Sequence, residues 1–252
     1  MARNRNSSHR RRRGRFSFLT KLLCVLLIVG ATVAALTLFF KVQSIVVRGS
    51  ARYSETEVIA ASGIQIEDNL FLLNKYSAAQ AIFEKLPYVE EATINRALPD
   101  TIVITVRECA AAAGVESADG VWLISGNGKL LERTDAVPEG CPLVIGAEPD
   151  APAPSEALSF GEGGDTTVQT LLTLLRASQE QGIRGGLARI DLSDPIAIHL
   201  EYLGRFSVKL PWDSDIAYKL LCLQAAVEYL EGNETGEINL MTDGEARFIP
   251  KS

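Results

Sequence analysis

Between residues 22 and 40 the chain is apolar and carries no charge, and no other stretch reads that way. At ~1.5 Å per residue, a helix over this run spans roughly 28 Å, close to the thickness of a bilayer's hydrocarbon core. Beyond Lys41 the apolar positions fall into short periods. Residues 42–48 are rich in β-branched side chains and end at Gly49, which predicts a strand. Ser54-Glu55-Thr56-Glu57 is a capping box, opening a short helix that stops at Gly63. A mostly apolar link, 69–74, leads to Ser77-Ala78-Ala79-Gln80, read as a second capping box. It opens a helix with Ala81, Ile82 and Leu86 on one side, and Pro87 ends it. Residues 89–96 and 101–107 alternate as a hairpin around Ala97-Leu98-Pro99-Asp100. Ile102, Ile104 and Val106 share one face of the second strand, Thr101, Val103, Thr105 and Arg107 the other. The order is β-α-α-β-β, and two helices on one face of a three-stranded sheet bury these apolar faces.

The pattern changes near residues 108–113. A strand over 121–124, a turn at Ser125-Gly126-Asn127-Gly128 and a strand over 129–131 form a hairpin, since Asn-Gly tolerates positive φ at both turn positions. Residues 147–164, rich in Pro, Gly, Ala and acids, predict a flexible loop with no packed core of its own. Val168, Leu171, Leu172 and Leu175 give a helix over 166–181, with Gly182 past its end. Strands follow at 188–192, 196–202 and 206–210, the last two joined tightly through Leu203-Gly204-Arg205. Ile216, Leu220, Leu223, Val227 and Leu230 stripe a helix over 214–230. A hairpin of 237–241 and 246–249 turns at Thr242-Asp243-Gly244-Glu245, and Pro250 ends its ladder. The expected fold class is therefore α+β. A tail (1–21) and one transmembrane helix (22–40) precede the β-α-α-β-β unit (41–108). A β-rich unit (109–252) then sets two helices on an antiparallel or mixed sheet.

Charge orients this arrangement. The first forty residues hold Arg3, Arg5, Arg10, Arg11, Arg12, Arg13, Arg15 and Lys21, and no acid. The remainder has 17 Lys and Arg against 31 Asp and Glu, a net of −14 inside the overall −6. The positive-inside rule keeps the tail in the cytoplasm and sends the acidic body across the plasma membrane, a single-pass type II topology. The arginine run reads as a topogenic and headgroup anchor rather than a nucleic-acid patch, because it abuts the membrane helix and the acidic body repels nucleic acid. A cleaved signal peptide is the rival for 22–40. Its apolar region is usually about 7–15 residues before a small-x-small site, whereas here Leu36, Leu38, Phe39 and Phe40 follow the small residues.

Candidate chemistry is sparse. His9 lies in the basic tail, and His199 alternates with Ile198 and Leu200, facing away from the apolar side of its strand. No G-x-S-x-G elbow accompanies it. Gly161-Glu162-Gly163-Gly164 follows no strand, a poor phosphate cradle. Turn chemistry before Pro195 accounts for Asp191 and Asp194. Tyr53, Tyr76 and Tyr88 read as packing residues. Cys24 falls in the membrane helix, Cys222 on the apolar side of its own, and a Cys109–Cys141 disulfide stays open. No metal-ligand spacing and no cofactor are indicated, so the expectation is a binding module and not an enzyme. Ile238, Leu240 and Phe248 sit in the last hairpin, where a sheet edge could accept a strand from a partner or be covered.

Several fragments in order resemble the FtsQ/DivIB family of bacterial cell-division proteins. Phe40-Lys41-Val42 leads into Ile45-Val46-Val47-Arg48-Gly49 as the first strand of a POTRA domain does. Leu86-Pro87-Tyr88-Val89, Leu98-Pro99-Asp100-Thr101-Ile102 and Val106-Arg107-Glu108 are similar to its later junctions. Gly204-Arg205-Phe206, Tyr218-Lys219-Leu220 and Ala246-Arg247-Phe248 resemble positions in the second domain. Cys109-Ala110-Ala111-Ala112 departs from the family, which often has a basic residue and Pro-Ala there. The basic tail and the lack of a further C-terminal segment resemble Gram-positive members. The resemblance implies a POTRA domain over 41–108, an FtsQ-type β domain over 109–252, and a divisome scaffold at the septum. Such a scaffold binds FtsL- and FtsB/DivIC-like single-pass partners and helps regulate septal peptidoglycan synthesis. The implied contact is strand addition at the last hairpin, with Ile238, Leu240, Thr242, Ala246, Arg247, Phe248 and Ile249 as contact residues. The alternative is a POTRA-containing assembly or secretion factor.

Overall fold

The computed structural model describes residues 13–251; residues 1–12, with His9 and most of the basic tail, lie outside the described residues. Helix α1, Arg13–Phe39, is longer at its start than the apolar run and stops one residue before Phe40. Its window Phe18–Ala35 is long and apolar enough to cross a membrane, and none of it is buried against the rest of the chain.

The first unit comprises β1 (Ser44–Arg48), α2 (Glu55–Ser62), α3 (Lys75–Lys85), β2 (Val89–Ala97) and β3 (Thr101–Glu108). The sheet order is β1-β3-β2, with β1 parallel and β2 antiparallel to β3. The alternation in β3 is realised: Ile102, Ile104 and Val106 are buried, with Val58, Ile82 and Ile94 packed on them. Ser54 caps α2 as expected, its hydroxyl accepting from Glu57 N–H while the Glu57 carboxylate accepts from Ser54 N–H at 2.8 Å. The second capping box is not formed. Asn74 caps α3 instead, its carboxamide oxygen accepting from the N–H groups of Tyr76 and Ser77. Ser77 therefore lies inside the first turn.

The second unit begins with β4 (Ala111–Ser117), β5 (Gly120–Ser125), β6 (Leu130–Thr134) and β7 (Leu143–Ile145). After α4 (Asp165–Glu180) come β8 (Leu187–Asp191), β9 (Ala197–Tyr202), β10 (Phe206–Pro211), α5 (Ile216–Glu228), β11 (Gly236–Asn239) and β12 (Arg247–Pro250). One mixed nine-stranded sheet runs β12-β11-β10-β9-β8-β7-β4-β5-β6. Its core face packs Ile190, Leu200, Val208 and Ile238 against Leu171 and Leu175 of α4 and Leu220 and Leu223 of α5. Strands β4 and β7 do not stand out in the sequence. Ala-Ala-Ala-Gly is poor strand material by propensity, yet β4 sits mid-sheet between β7 and β5. Small residues fit there because Val121 and Val137 fill the space: a Cβ on Gly114 would come within 2.6 and 2.7 Å of their methyl groups.

Residues 147–164 hold no helix or strand, but they are not without packed contacts. Leu158 is buried in the main core. Leu130 N–H donates to Glu156 O at 2.7 Å, Ser155 N–H to Leu130 O at 2.8 Å, and Leu158 N–H to Gly128 O at 2.7 Å. This segment thus covers the β6 edge of the sheet. The two units also meet directly: Tyr88 OH donates to Glu132 at 2.5 Å, and Lys129 reaches back into the first unit.

Candidate partner-docking edge

A sheet has two edges, and among the described residues only the β6 edge is covered. Strand β12 is the outermost strand on the other side, antiparallel to β11, which is itself parallel to β10. The crossover between β10 and β11 is α5, as a parallel connection requires. The Lys251 N–H donates to Thr235 O at 2.9 Å. Bonded and non-bonded pairs alternate along an antiparallel ladder, so the pairs Glu237–Ile249 and Asn239–Arg247 are the bonded ones. The N–H and C=O of Phe248 and the C=O of Pro250 then point away from the sheet.

Several groups hold this edge in place. Phe248 is half-buried, its ring edge-on to Phe206 with centroids 6.1 Å apart. Gly236 lies so close to β12 that a Cβ there would sit 2.2 Å from Ile249 O and 2.8 Å from the Phe248 ring. Lys219, on α5 and 2% exposed, donates from Nζ to Leu240 O at 2.7 Å and Thr242 O at 2.9 Å, and lies 3.0 Å from the Asp243 carboxylate. The ammonium therefore pins the connection between β11 and β12 to the helix.

The expected contact residues divide sharply. Ile238 and Leu240 are fully buried in the core, beneath α5, so their side chains support the edge from within and do not line its surface. The physical reason is register: Val208, Ile238 and Phe248 are paired across three strands on the core face. Thr242, Ala246, Arg247 and Ile249 are exposed, and Phe248 is half-buried. Pro250 lies within β12 rather than beyond it. Lys219, Gly236 and Phe206 were not singled out for this site. Lys219 did carry a signal, since it falls three after Ile216 and four before Leu223, on the buried stripe.

On the solvent face the same strands floor an open groove of about 850 Å³ whose lining includes Arg189, His199, Glu201, Glu237 and Ile249. Two of its acidic residues, Glu237 and Asp194, have a basic partner. Lys209 lies 3.3 Å from Glu237, and His199 Nε2 lies 3.0 Å from Asp194. Hydrogen bonds from His199 and from Ile196 N–H hold the Asp194 carboxyl below its usual range. Asp191 is lowered likewise by the Ser193 hydroxyl and N–H. Both carboxylates accept from the turn, as their place before Pro195 suggested.

The cysteines are unpaired: Cys109 Sγ donates to Tyr88 O and Cys141 Sγ to Ala111 O, so the disulfide left open does not form. Cys222 is half-buried. Tyr53 and Tyr88 pack at the joint between the units, whereas Tyr76 is 86% exposed.

Comparison with known proteins adds to this geometry. The profile for the POTRA domain, FtsQ-type, matches residues 40–108. The cell division protein FtsQ of Corynebacterium glutamicum is 30% identical over 160 residues, 64% of this chain and 65% of that protein. The cell division protein DivIB of Clostridium tetani is 32% identical over 99 residues, 39% of this chain and 37% of that protein. The chain thus spans less than two thirds of either relative's length. Among solved structures, the major extracytoplasmic domain of DivIB from Geobacillus stearothermophilus is similar at 17% identity and a TM-score of 0.33, over 50% of this chain and 97% of that one.

Proposed function

We propose that this chain is a member of the FtsQ/DivIB family of cell-division proteins, to which its POTRA match and its relatives point, and a membrane-anchored, non-enzymatic scaffold of the divisome. In this reading α1 is a single-pass anchor with a cytoplasmic N-terminus, and the two units stand outside the membrane at the septum. Strand β12 captures FtsL- and FtsB/DivIC-like partners by strand addition, and through them the chain helps regulate septal peptidoglycan synthesis.

One observation carries the reading: β12 is an edge whose outward N–H and C=O groups are presented on a strand locked to the core, while the β6 edge is covered. Main-chain bonds to an edge supply affinity, and flanking side chains supply register. Strand β12 is only four residues long. An added strand therefore gains few backbone bonds, and exposed Ile249 and Arg247 must contribute. A cross-strand neighbour sits about 5 Å from each of them.

The test separates edge from fold. In Ile249→Asp the core is untouched, because Ile249 faces the groove. Pull-down from detergent extract of dividing cells should recover FtsL- and DivIC-like partners with the unaltered chain and about tenfold less with the variant, a loss of about 1.4 kcal/mol. Equal recovery rejects β12 as the capture site. A fluorescent fusion that stays uniformly peripheral, with no band at midcell, rejects the division role itself.

A further inference from the structure

At the end of α1 and in two loops of the first unit, large apolar side chains are left exposed. Phe39, Ile66, Phe71, Leu72 and Leu98 are all exposed, three of them strongly: Phe39 at 77%, Leu72 at 75% and Leu98 at 63%. They come from three separate stretches of chain, the end of α1, the loop before α3 and the β2–β3 turn. All three stretches are bonded to the few residues that leave the apolar helix. Leu70 N–H donates to Phe40 O at 2.9 Å, Val42 N–H to Asp68 O at 2.8 Å, and Glu67 N–H to Val42 O at 2.8 Å. Gln43 N–H donates to Asp100 O at 2.8 Å, which brings in the turn bearing Leu98. The Phe40 and Phe71 rings meet edge-to-face at 5.0 Å.

Chain connectivity sets where this rim must be. Phe40 follows α1 directly, and Gln43 is four residues past Phe39, at most roughly 14 Å along an extended chain. If α1 crosses a bilayer, its end lies at the boundary between hydrocarbon and headgroups, a layer of about 5–8 Å on each side. A loop hydrogen-bonded to Phe40 cannot stand clear of that layer, whatever the tilt of the helix. The composition of the rim suits it. Aromatic and aliphatic side chains flanked by basic residues are the composition of a membrane–water interface. Arg96 donates to Leu73 O at 2.9 Å with its guanidinium 6.0 Å from the Phe71 ring, and Lys41, at the border of the same loop, pairs with the exposed Glu67 at 2.6 Å.

We propose that the loops at residues 65–73 and 97–100 form an apolar foot that sits in the interfacial layer of the phospholipid bilayer crossed by α1. The foot fixes the height and tilt of the first unit over the membrane. This rests on the reading of α1 as a membrane span, and the experiment tests the two apart.

The full chain carries p-benzoylphenylalanine at one position at a time, Val29, Leu72, Leu98 or Tyr229, in vesicles of phosphatidylcholine and phosphatidylglycerol only. Irradiation followed by intact-mass measurement reads covalent attachment of a phospholipid. The expected result is a lipid adduct at Val29, Leu72 and Leu98 and none at Tyr229, which is exposed on the second unit. An adduct at Val29 with none at Leu72 and Leu98 overturns the foot and leaves the span standing. No adduct at Val29 overturns the span, and the foot with it.

Discussion

Single residues decide how firmly the candidate edge is held. Gly236 is the sharpest case, because the space beside it is already occupied by backbone. A methyl group 2.2 Å from Ile249 O and 3.0 Å from Pro250 Cα cannot be absorbed by a rotamer change, so the strands must part. Gly236→Ala is expected to cost about 1–3 kcal/mol, the usual range for overpacking. Hydrogen exchange should locate the damage: faster exchange in residues 247–251, with α5 amides unchanged. Exchange in β12 as slow as in the unaltered chain would show that the strand is held by something else. Glu108 plays a comparable part at the joint between the units. Burial pushes its carboxyl upward, but bonds from the Ser50 hydroxyl (2.8 Å) and the N–H groups of Ala51 and Arg52 outweigh that and leave it below its usual range. A carboxyl lowered by folding stabilises the native state above its unfolded value and loses that contribution as pH falls through its folded value. Urea titrations should therefore show Glu108→Gln less stable than the unaltered chain at neutral pH. The gap should close well below pH 4.5. A gap that does not change with pH would mean that the charge is not what matters.

Elements that bury one regular face were legible in the sequence, and those that depend on distant neighbours were not. The alternation of Ile102, Ile104 and Val106 gave β3, and the Ser54–Glu57 box gave the start of α2, because period and capping are local properties. Strand β4 was missed because its alanines and Gly114 have no strand preference of their own. They are selected by Val121 and Val137, side chains of β5 and of a later loop. Ser77 was given the cap that Asn74 holds, since two side chains within four residues compete for the same free N–H groups and the pattern does not rank them. The candidate edge was read in part. The hairpin was visible in its turn at Thr242-Asp243-Gly244-Glu245 and in the Pro250 that closes it. That Ile238 and Leu240 face inward depends on the parallel pairing of β10 with β11, which α5 imposes. The buried ammonium of Lys219 was hidden for a related reason. A lysine on an apolar stripe looks like a stem lying along the surface until the carbonyls that receive it are known.

At the scale of the molecule, the question is whether the two units move as one. Their joint is small but polar bonds cross it at several points. Arg52 stacks on the Tyr88 ring and pairs with Glu132, Asn127 donates to Glu90, and Leu123 and Leu131 bury against Tyr88. The centre is Lys129, only 7% exposed, whose Nζ donates to Phe83 O at 2.7 Å, Val89 O at 3.0 Å and Leu86 O at 3.3 Å. It sits at the C-terminal end of α3, where free carbonyls and the helix dipole favour a cation. Removing it strands acceptors at a buried joint, at a cost of about 1–3 kcal/mol. Lys129→Met is therefore expected to lower the urea midpoint and to separate the unfolding of the two units, which the unaltered chain should show as one transition. Fluorescence of Trp122 and Trp212 follows the second unit, and exchange of β3 amides follows the first. The pH dependence gives the comparison a second arm. Burial lowers the Lys129 ammonium from 10.5 to about 8. Above pH 8 the folded chain sheds this proton while the unfolded chain keeps it up to about 10.5, so the unfolded state binds more protons and stability rises with pH across that window. The advantage of the unaltered chain over Lys129→Met should thus grow between about pH 8 and 10.5. If both unfold at the same midpoint throughout, the lysine does not couple the units, and an edge at β12 and a membrane-side foot would be carried by bodies free to turn against each other.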